Sequence, residues 1–180
     1  WALYFAILWS LLSLALGAVL GPWVLGATVL GLALAWVYSA PPLRLKLNGW
    51  WGNTAVGFSY EGLAWVTGGA AMLGGAMPDS RILLLAVLYS LGAHGIMTLN
   101  DFKSIEGDRK LGIRSIPVQL GADRAAVLAC AVMVVPQLVV IALLIHWNLP
   151  ISAAVVGSLV LAQAAMMVRF LAEPVERALW

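Results

Sequence analysis

Charge is the scarcest property of this sequence. Lys, Arg, Asp and Glu make up only 10% of its 180 residues, against 63% hydrophobic residues, and the mean hydropathy is +0.97. That balance excludes an ordinary soluble domain and marks an integral membrane protein. Cysteine is nearly absent. The single Cys130, in the run CAVMVV, rules out a disulfide within the chain and any Cys-based metal site, and it reads as a packed core thiol. The first residues carry no positively charged n-region and no small-residue cleavage site, so they do not read as a signal peptide. Segments of ~10 residues with alternating polarity, the mark of a membrane β-barrel, are missing as well. The expected fold class is therefore all-α, a polytopic transmembrane helix bundle.

Long apolar runs are abundant. Runs of roughly 17–25 residues are what a helix needs to cross a bilayer, and six are found at about 2–20, 24–39, 54–77, 82–99, 124–146 and 151–171. The segments between the second and third, between the fourth and fifth, and after the sixth, together with the run ends beside them (Arg124 and Arg169), hold nine of the ten basic residues; the opposite segments hold only Arg81. The positive-inside rule puts the basic segments in the cytoplasm, and the expected location is the inner (cytoplasmic or intracytoplasmic) membrane. Trp23, Trp50, Trp51, Trp147 and Trp180 fall near expected helix ends, as interfacial anchors do. Gly68, Gly69, Gly74 and Gly75 are expected to let the third span pack closely. No internal repeat, low-complexity tract or soluble domain is present, and no nucleic-acid partner is expected.

The scarce charges are clustered. In Asn100–Gly121, NDFKSIEGDRKLGIRSIPVQLG, the acidic Asp101, Glu106 and Asp108 interleave with Lys103, Arg109, Lys110 and Arg114. If the fourth span's helix continues to Asp108, Asp101 and Asp108 share one face with Ser104 between them, and Glu106 points elsewhere. Two carboxylates beside open space suit Mg²⁺, whose shell is completed by waters and substrate phosphates. The neighbouring Lys and Arg side chains suit phosphate oxygens. Mixed charges that merely solvate one another explain the composition equally well.

The other basic loop reads YSAPPLRLKLNGWWGN. Pro41-Pro42 stops the preceding helix, and Arg44 and Lys46, two residues apart, face the same way if the segment is extended. Anion binding and plain topology both account for them. Within the spans, Glu61 in SYEGLAW is an expensive intramembrane ionisable group and a functional candidate by default. Tyr60 beside it points differently. His94 in LGAHGIM is a pigment-ligand candidate set against ordinary hydrogen-bonded packing. Trp36 and Trp65 are candidates to line a hydrocarbon channel, with plain aromatic packing as the alternative.

YSAPPLRLK followed by GWWGN, then NDFKSIEGDRKLGIRSIPVQLG, resembles the UbiA-type intramembrane prenyltransferase superfamily. With FSYEGLAWVTG and YSLGAHGIMTLNDFK between them, the likeness runs from about Leu3 to Arg169 and is nearest to the branch that esterifies chlorophyll-type pigments, on its bacteriochlorophyll side. This resemblance implies a nine-helix bundle in which two aspartate-rich loops face each other and hold Mg²⁺ on a prenyl diphosphate. It also implies transfer of a geranylgeranyl or phytyl group to the propionate carboxylate of bacteriochlorophyllide. Residues 1–180 then form a single transmembrane prenyltransferase domain corresponding to helices three to eight. The first acidic motif (N-D-x-x-D-x-x-x-D) is expected before residue 1 and a further helix or helices after residue 180.

Taken with the resemblance, the candidate catalytic residues are Asp101, Asp108, Lys46 and Arg44. The metal ligands are Asp101 and Asp108, with Glu106 ranked lower, and Ser104 stands where many relatives carry another Asp. Substrate contacts are expected from Asn100, Lys103, Ser104, Arg109, Arg114, Tyr38, Glu61, Tyr60 and His94. The expected partners are the prenyl diphosphate, bacteriochlorophyllide, the lipid bilayer and other enzymes of pigment synthesis. A prenyltransferase for chlorophyllide, a quinone precursor or haem is the competing enzyme reading. A transporter would spread its charges through the bilayer depth, and a purely structural pigment-binding protein would leave the acidic cluster unexplained.

Overall fold

A computed structural model describes residues 1–178, so the expected anchor Trp180 lies outside the described residues. The secondary structure in that range is helical, with loops between the helices and an isolated bridge between residues 48 and 114. Helices α1 (Ala2–Leu20) and α2 (Pro22–Ser39) form an antiparallel pair joined at Gly21. Next come α3 (Gly49–Gly57), a π-helical segment (Phe58–Leu63) and α4 (Ala64–Met72). They are followed by α5 (Ser80–Asp101), the short α6 (Ile105–Leu111) and α7 (Ile116–Leu120), then α8 (Ala122–His146), α9 (Pro150–Ala172) and the single turn α10 (Pro174–Arg177). The closest packing is of α5 on α8, α8 on α9, and α3 on α5.

Five of the six expected spans are helices long and apolar enough to cross a bilayer: α1, α2, α8, α9 and the run Ser80–Leu111. The third differs. Helical residues there run from Gly49 to Met72, beginning and ending about five residues before the expected 54–77, and the hydrogen-bond register changes through the π segment. No one element is then long enough alone, yet 24 helical residues rise roughly 36 Å. The ends of this run also lie at opposite ends of the bundle. A Cβ on Gly49 would sit 2.6 Å from the Ile116 nitrogen, whereas past the other end a Cβ on Gly21 would sit 2.8 Å from the Gly75 Cα. The run therefore crosses the bundle as a sixth span.

Two of the four glycines expected to pack this span lie outside it. Gly74 and Gly75 form the turn after α4 with φ of 65° and 89°, a backbone region that L side chains rarely enter. Gly68 has nothing against it, and Gly69 alone of the four is inside the helix and in close packing, against Pro78. At the same end of the bundle, the Arg81 guanidinium lies 5.3 Å from the Trp147 ring, joining the first turn of α5 to the turn between α8 and α9.

The opposite end holds both charged loops. Asn48 caps α3, its side-chain oxygen accepting from Trp50 N–H at 3.0 Å. Its backbone pairs with that of Arg114: Gly49 N–H donates to the Arg114 carbonyl at 2.8 Å, and Arg114 N–H to the Leu47 carbonyl at 2.9 Å. The loop 40–48 is not extended, so the condition for Arg44 and Lys46 to face the same way is not met. Arg44 takes a left-handed φ of 42° and Leu45–Leu47 form a 3-10 turn, so the alternation that would align Arg44 with Lys46 is lost.

Candidate functional site

The fourth span's helix does not continue unbroken to Asp108. Helix α5 ends at Asp101, Phe102–Ser104 make a 3-10 turn, and α6 starts at Ile105. Phe102 causes the break to fold inward: it is buried in a cluster with Ile116, Ala125 and Ala126, and its ring meets Phe170 edge-on at 5.4 Å. Despite the break, the Ser104 side chain reaches Asp108 and the main chain of Asp101. The Ser104 hydroxyl donates to Asp108 Oδ2 at 2.9 Å and also lies 3.2 Å from the Asp101 carbonyl oxygen. Asp108 is buried, while Glu106 is exposed on the other side of α6 with Lys103 and Arg109, around a shallow cavity of about 360 Å³.

Asp101 is fixed by a residue that motif reading had passed over. Asn53, buried near the start of the third span, donates one N–H to Asp101 Oδ2 at 3.0 Å and the other to Thr98 Oγ1 at 3.3 Å. Thr98 is fully buried, and its own hydroxyl donates to the His94 carbonyl at 2.9 Å. The Ile116 backbone N–H approaches the Asp101 carboxylate from α7. The signal for Asn53 was in the sequence: a lone carboxamide within the apolar run 50–58, where an unpaired amide is costly.

The remaining candidates divide by position. Tyr38, Ser59, Tyr60 and Met97 line a cavity of about 560 Å³ between α2, the third span and α5, and Tyr38 is near enough to Asp101 to feel its charge. A second, more apolar cavity of about 480 Å³ is bounded by Leu30, Trp51, Phe58, Leu63 and Val87. The His94 ring is tilted 33° to the Trp50 ring, 6.0 Å away. Asn100, Arg44, Lys46, Lys103, Arg109 and Arg114 are outward-facing or half-buried at the loop end. Glu61, in the π segment, accepts from the Trp65 indole at 3.3 Å and borders a different cavity. Trp36 is exposed on α2 and Trp65 stacks on Tyr89.

The one ion pair among the described residues is Arg177–Glu173 at 2.8 Å, so the charges of Asn100–Arg114 do not neutralise one another through direct contacts. Nor does any group of three or more His, Cys, Asp or Glu side chains gather among those residues. Chemically, the chain offers two carboxylates, one held by the Asn53 carboxamide and the other by the Ser104 hydroxyl, all hard oxygen donors, next to cations that form no ion pair with them. That donor set fits a hard divalent cation, which takes one or two carboxylates and fills its remaining positions with water and phosphate oxygen.

The model of the UbiA prenyltransferase family matches residues 1–180. The chain is 52% identical over all 180 residues to the bacteriochlorophyll synthase 33 kDa chain of Cereibacter sphaeroides, covering 59% of that protein. It is 50% identical to the one of Rhodobacter capsulatus, covering 60% of it, and 40% identical to the chloroplastic chlorophyll synthase of rice (Oryza sativa subsp. japonica), with 94% of this chain and 47% of that protein aligned. It thus spans about 60% of the length of the bacterial relatives. A solved structure from work on digeranylgeranylglyceryl phosphate synthase in membranes superposes with a TM-score of 0.76 at 21% identity, covering 98% of this chain and 61% of that one. The chain belongs to the UbiA prenyltransferase family.

Proposed function

We propose that this chain forms the catalytic core of a bacteriochlorophyll synthase, which moves a geranylgeranyl or phytyl group from its diphosphate to the propionate carboxylate of bacteriochlorophyllide. The observation that carries the reading is the anchoring of both carboxylates, Asp101 by Asn53 of the third span and Asp108 by Ser104, in a chain half identical to relatives of that name. In the reaction, the bond between the first prenyl carbon and the diphosphate oxygen breaks and the electron pair leaves with diphosphate. A bond from that carbon to a carboxylate oxygen forms. The carboxylate is already ionised at neutral pH, so the site needs no strong general base.

Asp101 and Asp108 would hold Mg²⁺, which when bound supplies Lewis-acid stabilisation of the departing diphosphate. The chain's own residues position the rest. Asn53 keeps Asp101 from swinging away, and Ser104 does the same for Asp108. Lys103, Arg109 and Arg114 offer donors to phosphate oxygens, with Arg44 and Lys46 on the loop bridged to Arg114. Tyr38 and Tyr60 line the cavity between α2, the third span and α5. The apolar cavity beside the third span suits the hydrocarbon tail and keeps out water, which would capture the same allylic carbon as free alcohol. With nine of ten basic residues at or beside the loop end, that end faces the cytoplasm.

The test uses membranes containing the protein as its gene encodes it, supplied with bacteriochlorophyllide and geranylgeranyl diphosphate with and without Mg²⁺. Metal-dependent ester is expected. Prenylation of a quinone precursor or haem, and none of bacteriochlorophyllide, would replace the acceptor; no product from well-inserted protein would remove the reading.

A further inference from the structure

Two unpartnered phenols share one cavity at membrane depth. Tyr38 stands in the last turn of α2 and Tyr60 in the π segment, and both line the space of about 560 Å³ between α2, the third span and α5. Tyr38 is half-buried and Tyr60 exposed. The rest of the wall is nearly all apolar, with Leu34, Val56 and Met97 among its residues, and it contains no Lys or Arg. Its other hydroxyl, that of Ser59, donates to the Ala55 carbonyl at 2.7 Å. Neither phenol has a hydrogen-bond partner among the described residues. In hydrocarbon, such groups are costly until something satisfies them.

The phenols converge because their helices run in opposite directions. Side chains on a helix tilt toward its N-terminus. Helix α2 runs toward the loop end, so Tyr38 leans back into the membrane; the third span runs away from that end, so Tyr60 leans toward it. Tyr38 lies within electrostatic reach of both Asp101 and the Tyr60 phenol. On α5, Met97 precedes Asp101 by four residues, which puts the cavity's α5 wall about 40° around the helix from Asp101 and roughly 6 Å along its axis. The second, more apolar cavity shares Leu34 and Ala55 with this one. Ala55 is two residues past Asn53, so the two cavities meet about 3 Å along the axis from the residue that holds Asp101. Joining two substrates requires two spaces that meet in this way beside the metal-binding carboxylates.

We infer that Tyr38 and Tyr60 form the acceptor-carboxylate subsite: their O–H groups donate to the ionised carboxylate and hold one of its oxygens toward the first prenyl carbon. The inference rests on the proposed function. A carboxylate arriving beside Asp101, Asp108 and a diphosphate meets like charge and stays only where donors receive it. Lys and Arg would hold the diphosphate as readily, and nine of the ten basic residues are kept at or beside the loop end. The cavity offers neutral donors instead. A phenol is far too weak an acid to protonate a carboxylate, so the nucleophile stays ionised. In the step, the bond from carbon to diphosphate breaks with its electron pair leaving on diphosphate. A carboxylate oxygen supplies the pair for the new bond, and both phenols keep their protons.

The experiment uses Tyr38→Phe and Tyr60→Phe, which remove only the oxygens, in membranes carrying the complete protein. Acceptor binding without donor is compared for bacteriochlorophyllide and its propionate methyl ester, which lacks the ionised carboxylate. Each variant is expected to bind the acid about tenfold more weakly and the ester unchanged. In turnover, the acceptor KM should rise, the KM for the prenyl diphosphate should hold, and the ratio of free prenyl alcohol to pigment ester should increase as water replaces the displaced carboxylate. Unchanged binding of the acid, or equal weakening of acid and ester, would overturn the inference. A rise in donor KM matching the acceptor's would overturn it too, and would move the phenols onto the diphosphate. Wild-type protein that forms no ester would sink the proposed reaction instead, and the comparison of acid with ester binding would still decide the subsite.

Discussion

Two polar clusters sit in this apolar bundle, and they are built in opposite ways. Around Asp101, nearly every group has a partner: Asn53 spends both N–H bonds, Thr98 accepts one and donates another, and Ser104 donates to Asp108. At Tyr38 and Tyr60, two phenols face an open cavity with no partner among the described residues. A saturated network fixes geometry, because moving any member strands the others. An unsaturated one has binding capacity left over and depends on a visitor to complete it. The first arrangement suits holding reactive carboxylates still; the second suits recognition.

Breaking the saturated cluster should have the larger consequences. Asp101→Ala or Asp108→Ala should lower esterification by at least about 10³-fold while the protein still inserts, as read by assay of equal amounts of membrane-embedded protein. Asn53→Leu should cost about 10–100-fold in activity and raise the Mg²⁺ concentration needed for half-maximal rate, with a lower thermal midpoint because Thr98 and Asp101 lose their donor. Ser104→Ala should cost about tenfold or less and shift the same Mg²⁺ titration in the same direction, since Asp108 loses one hydrogen bond. Smallest of all is the expected stability effect in the open cluster: Tyr60→Phe should leave the thermal midpoint unchanged within about 0.5 kcal/mol of stability, having no internal bond to lose. A midpoint falling as far as that of Asn53→Leu would erase the distinction between the clusters.

The spans were legible because hydropathy over 18 residues is a property of composition, which survives ignorance of every neighbour. The third was displaced because Gly49–Gly52 reads as interfacial, with two tryptophans, yet Asn48 caps a helix there. The π segment was invisible, since FSYEGL has the same apolar pattern in either hydrogen-bond register. The closeness of Asp101 to Asp108 was readable as a seven-residue spacing, although a 3-10 turn interrupts the helix between them and each carboxylate has its own donor, Asn53 for the first and Ser104 for the second. Contacts between distant segments left no trace in local pattern. The backbone bridge from residue 48 to 114 belongs to that class, as do the meeting of Asn53 with Asp101 and the convergence of Tyr38 and Tyr60.

The bond from Asn53 to Asp101 spans 48 residues of chain. During synthesis at about 5–20 residues per second, the carboxamide leaves the ribosome roughly 2–10 s before its carboxylate exists. Throughout that interval the third span must wait in or beside the bilayer with a polar group that nothing satisfies. Order of appearance thus becomes a constraint on the site: its first-made half has to tolerate the membrane unaided, and the surrounding glycine, alanine and valine residues of 49–57 keep that wait affordable.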